Sequence, residues 1–171
     1  DLFHTLTYKG INLFPGNKDY ATRLWIAARY VESVTLFIIF LSVGRRKGTM
    51  RYGAVFFIYA AVTLSIFISI FAVDVFPICF RQGTGLTPFK IASEYIISSI
   101  LVVTGVVLYW KRPLFESKVF RWLFWSIALT AASEMAFTFY IDVYGISNFV
   151  GHFFKIGSFY LIYKAIIETG L

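Results

Sequence analysis

The chain has 171 residues, 58% hydrophobic and 15% charged, with a formal net charge of +7. Soluble domains are about half apolar and about a quarter charged, so this composition excludes an ordinary soluble globule and points to an integral membrane protein. The positive charge does not point to nucleic acid, because the basic residues sit in short clusters between apolar runs, where membrane topology places them. The single cysteine, Cys79, excludes an internal disulfide and a multi-Cys metal site.

Residues 1–8 (DLFHTLTY) read as the last turns of a span that begins upstream, and no cleavable signal peptide is visible. The expectation is therefore a single membrane-embedded domain over 1–171, cut from a longer chain. Gly10, Pro15, Gly16 and Asn17 mark a turn. Tyr20 to Val43 is the first complete span, about 36 Å long at ~1.5 Å per residue, enough to cross a bilayer. A basic loop follows, with Arg45, Arg46, Lys47 and Arg51. Tyr52 to Val75 is the second span, uncharged before Asp74, and is expected at the lipid-facing edge. A loop with Pro77, Gly83, Gly85 and Pro88 leads to the third span, Phe89 to Trp110, with Pro88 suited to its first turn. Lys111, Arg112, Lys118 and Arg121 lie in a second basic stretch. Phe120 to Asp142 is the fourth span. A turn at Gly145 to Asn148 leads to the fifth, Phe149 to Ile167. The fold expected is an all-α polytopic transmembrane helix bundle, with five complete spans and the end of a preceding one.

The two basic stretches fall on one side, which the positive-inside rule makes cytoplasmic. The domain then belongs in the plasma membrane, with His4, Cys79 and the Gly145 turn outside and the C-terminus inside.

In the fourth span Ser126, Thr130, Glu134, Thr138 and Asp142 recur every four residues and so share one face. The rest of that helix is apolar. A carboxylate at such depth must face protein or trapped water. Few other ionisable groups lie within the spans: Arg29 and Glu32 in the first, Lys90 and Glu94 in the third, His152 and Lys155 in the fifth, and His4 on the truncated one. At 1.5 Å per residue, His152, Glu94 and Glu134 lie about 5, 8 and 12 Å from the outer ends of their helices, with Glu32 deeper at about 18 Å. They are expected to form one site in the outer half, with Glu32 at its floor. The Ala-Ser-Glu triplets at Ala92–Glu94 and Ala132–Glu134 put small residues beside two carboxylates, allowing close helix approach.

This set has two opposed readings. His4, Glu32, Glu94, Glu134 and His152 make a nitrogen and oxygen shell of the kind that helix bundles use for metals, suited to iron, zinc or manganese. Haem held by His4 and His152 is an alternative. Against both, Arg29 stands three residues before Glu32, Lys90 stands four before Glu94, and Lys155 is free to neutralise Glu134, which makes internal salt bridges. Trp25, Phe137, Tyr140 and Phe153 are candidates to line a pocket, or are ordinary core and lipid-facing packing.

Several stretches resemble a known family: His4–Leu6 with Tyr8–Gly10, Phe14–Gly16, Leu24–Ser33, Gly85–Lys90 with Ser93–Ser98, Ser133–Tyr140, Gly151–Lys155 and Tyr160–Ala165. Together they look like the membrane-associated sensor domain of the third type, and the likeness runs nearly end to end. Arg23 departs from it where Gln is expected, a change read as of little consequence. The resemblance implies a non-enzymatic sensory input module of bacterial and archaeal histidine kinases and diguanylate cyclases, with spans upstream of His4. Its expected partners are membrane lipid, a cytoplasmic output domain in the same chain and a second copy in a homodimer. The rivals are an intramembrane metal- or haem-dependent redox enzyme and a transporter. The apolar inner half of the spans speaks against the transporter.

Overall fold

The computed structural model describes residues 6–7, 19–44, 51–81, 83–138 and 146–168, and only the backbone of Asn148 and Glu168. Its helices are α1 (Tyr20–Ser42), α2 (Tyr52–Phe67, continued by a π-turn at Ile68–Ala72), α3 (Pro88–Trp110), α4 (Ser117–Thr138) and α5 (Ile146–Glu168). A two-strand hairpin, β1 (Phe80–Arg81) and β2 (Gly85–Leu86), pairs Phe80 with Leu86 between α2 and α3. The chain is an all-α polytopic membrane domain. Among the described residues three helices, Tyr20–Ser42, Tyr52–Ala72 and Pro88–Trp110, are long and apolar enough to cross a bilayer.

The helices begin and end where local chemistry dictates. Thr87 caps α3 by accepting from the Lys90 N–H at 3.3 Å, and Pro88 opens the helix, where its missing N–H is not needed. Asp74, at φ 50°, turns the chain away after the π-turn. The Lys111 ammonium donates to the carbonyls of Leu41, at 2.7 Å, and Val43, satisfying acceptors left free at the end of α1. Expected boundaries shift in three places, the first being the end of α2 at Ala72 rather than Val75. α4 starts at Ser117 rather than Phe120. Ile146–Asn148, read as a turn, is already helix, since Ser and Asn are well tolerated around a helix start.

α1 packs on α3, α3 on α4 and α4 on α5. Ile26, Ile97, Leu101, Leu108 and Ile127 fill the apolar core between them. α4 and α5 approach closely at Gly151, where an added Cβ would lie 2.7 Å from the Phe137 ring. The polar stripe of α4 faces α5: the Ser126 and Ser158 hydroxyls are 2.9 Å apart, Thr130 also meets Ser158, and Ser133 donates to the Gly151 carbonyl at 2.7 Å.

α2 stands at the edge, as its lack of charge implies. None of Tyr52–Phe67 is buried. Its hydroxyl contact with α1 joins Tyr59 to Thr35 at 2.6 Å, while Thr63 and Ser65 are exposed.

Candidate functional site

The ionisable side chains collect inside the end of the bundle where α1, α3 and α5 begin and α4 ends. α1 contributes Arg29 and Glu32, one turn apart and ion-paired. α3 contributes Lys90 and Glu94, also one turn apart and ion-paired. The Lys90 ammonium donates as well to the Phe137 carbonyl at 3.3 Å, in the last turn of α4, so one cation serves a carboxylate and a helix terminus. Glu134 comes from α4, while Lys155 and His152 come from α5.

Lys155 joins these pairs. Its ammonium donates to Glu32 Oε2 at 2.6 Å and lies 3.6 Å from Glu134 Oε1. Glu94 and Glu134 are both 0% exposed, and their carboxyls lie within hydrogen-bonding reach of each other. Glu94 Oε2 and both oxygens of Glu134 receive no hydrogen bond among the described residues. The expected convergence of Glu32, Glu94 and Glu134 is therefore present, with Lys155 as the link between Glu32 and Glu134.

His152 does not join the carboxylates. Its ring packs edge-on against Trp25 and Phe137, at centroid distances of 5.5 and 5.2 Å. The Arg29 guanidinium stacks over Trp25 at 4.6 Å. Trp25 and Phe137 are thus core residues beside the ionic network. Phe153 does not line it, because it points outward and is exposed. His4, Tyr140, Asp142 and Gly145 lie outside the described residues.

The described residues do not fit a metal centre. No three His, Cys, Asp or Glu side chains among them come together as ligands. Ammonium groups stand against the carboxylates that a metal would need: Lys90 on Glu94, and Lys155 between Glu32 and Glu134. Of the two haem-ligand candidates, His4 and His152, only His152 is among the described residues.

A second ionic cluster, beside the hairpin, went unread in the sequence. Arg23, buried at 3% exposure, pairs with Asp19 at 3.0 Å and with Asp74. Asp19 Oδ2 also accepts the Cys79 N–H at 2.7 Å. This clasp ties the start of α1 to the chain leaving α2 and to the hairpin. Arg23 is therefore not a minor departure: its guanidinium holds two carboxylates from two elements, a task for which the planar fork of Arg is suited. The available signal was the four-residue spacing of Asp19 and Arg23. Burial raises the Asp19 carboxyl above its usual range, against its bonds from Cys79 and Arg23. Burial likewise pushes the Cys79 thiol up to about 12.

Fold and site together define a polytopic helical membrane domain with paired charges buried inside one end of its bundle. The chain belongs to the MASE3 family, the membrane-associated sensor domain, whose family model matches residues 1–171. No curated protein and no solved structure matches it.

Proposed function

We propose that this domain is a transmembrane sensory input module whose stimulus acts on the buried ionic network and whose output leaves through α5. All five helices cross the bilayer in this reading. The basic residues Lys111, Arg112, Lys118 and Arg121 face the cytoplasm by the positive-inside rule, which puts Arg29, Glu32, Lys90, Glu94, Glu134 and Lys155 in the outer half. α5 then runs inward to a cytoplasmic output domain in the same chain, of kinase or cyclase type. The observation that carries the reading is the Lys155–Glu32 bond at 2.6 Å, because it fastens the exit helix to α1 across 123 residues of sequence. Intramembrane ionisable groups are costly and are retained where they serve a function. In a packed bundle, exchanging one ion pair for another moves a helix between discrete positions rather than by small degrees.

The experiment is to fuse the domain, through the natural continuation of α5, to a cyclase or kinase reporter in cells. Lys155→Met and Glu32→Gln are expected to lock the output at one level, while Thr63→Val on the exposed α2 leaves it responsive. Unchanged output in both site variants, at normal membrane levels, would overturn the proposal.

A further inference from the structure

We infer that the ligand of this site is a proton, held between Glu134 and Glu94. Both carboxyls are fully buried and face each other, yet Glu94 Oε2, Glu134 Oε1 and Glu134 Oε2 have no donor among the described residues. Two ionised carboxylates in this position present only acceptors to each other. Burying a charge without a donor is expensive, and the group neutralises instead. A single proton removes the conflict: the Glu134 hydroxyl donates to Glu94 Oε2, and two acceptors become one hydrogen bond. Two carboxyls in contact share one proton for the same reason.

The surrounding charges assign the proton to Glu134. On α3, Lys90 is bonded to Glu94. On α1, Arg29 is bonded to Glu32. On α5, Lys155 gives its hydrogen bond to Glu32 and remains 3.6 Å from Glu134, while His152 faces Trp25 and Phe137. Glu134 is thus the carboxyl that none of the described cations engages by a hydrogen bond. When the proton leaves, Glu134 becomes an anion beside an ammonium that already has another partner. Lys155 then moves from Glu32 toward Glu134, and α5 loses its tie to α1. Proton occupancy selects the partner of Lys155. This rests on the sensory reading for its meaning as a stimulus, but the proton itself is measurable without any signalling.

The test is infrared spectroscopy of the purified domain in an ester-free detergent, titrated with pH in H2O and D2O. The expected result is a protonated carboxyl C=O band that shifts in D2O and disappears as the pH is raised. It is expected to be lost in Glu134→Gln, whose amide also donates to Glu94, and to disappear at a lower pH in Glu32→Gln, where Lys155 is released from Glu32 to pair with the ionised Glu134. In Glu94→Gln the band stays but changes frequency, because the acceptor of the Glu134 hydroxyl has changed. Circular dichroism confirms helical content in each variant. Absence of the band in the wild type throughout the folded pH range, its survival in Glu134→Gln, or an unchanged frequency in Glu94→Gln would each overturn the proposal.

Discussion

The Lys155 ammonium reaches the Glu32 carboxylate across 2.6 Å and so joins the last helix of the bundle to the first. Both side chains are largely buried, at 6% and 19% exposure. Removing Lys155 takes one of two cations from Glu32, which keeps Arg29, so the cost is about 1–3 kcal/mol rather than that of a wholly unmatched buried charge. Lys155→Met is therefore expected to lower the thermal midpoint of the purified domain. Glu32→Gln also deprives Arg29 of its carboxylate, so the coupling of Lys155 with Glu32 is read as the departure from additivity in a double-mutant cycle of thermal unfolding. Strict additivity of the two substitutions would mean that the pair does not couple.

Arg23 bears on stability in the same way at the clasp. Arg23→Gln keeps a donor but removes the charge facing Asp19 and Asp74. Asp19 is then left buried without a cation, held by the backbone N–H groups of Cys79 and Phe80. A loss of about 2–3 kcal/mol is expected, with faster proteolysis between α2 and α3. Unfolding midpoints and limited proteolysis of the two proteins provide the comparison.

Cys79 is 0% exposed and its thiol is pushed up from 9.0 to about 12. The thiolate is the reactive form, so the folded protein should resist alkylation at neutral pH and react once unfolded. The same shift sets an alkaline limit. Between 9.0 and about 12 the folded state keeps a proton that the unfolded chain has released. Stability from this group is thus intact below 9.0 and falls as the pH rises through that window. Cys79→Ser, with an oxygen that does not titrate there, should flatten the alkaline slope of the unfolding midpoint.

Gly151 is placed where α4 and α5 approach closely. A methyl group there meets the Phe137 ring at 2.7 Å, and that ring is held in turn by Trp25 and His152. Gly151→Ala is expected to cost about 1–3 kcal/mol through overpacking. Phe137→Leu should relieve part of it, measured as a higher midpoint for the double variant than for Gly151→Ala alone.

Local sequence determined a good deal of this protein. Long apolar runs between Gly, Pro and basic clusters placed the helices. Spacing of three and four residues within a helix determined the Arg29–Glu32 and Lys90–Glu94 pairs, because residues one turn apart meet whatever the helix packs against. The same periodicity put Ser126, Thr130 and Glu134 on one face, and the absence of charge along Tyr52–Val73 put α2 at the edge.

Tertiary structure alone decided which faces met. Depth along a helix can be counted from the sequence, but rotation about its axis relative to a neighbour cannot. That rotation sent Lys155 to Glu32, turned His152 onto Trp25 and Phe137 at a level where a ligand role was expected, and aimed Ser158 at the hydroxyls of α4. It also brought Arg23 to Asp74 across 51 residues. A buried charge adopts the partner that packing sets within a few ångströms of it, because only a close and well-aligned partner repays its desolvation, and helix rotation decides which group that is.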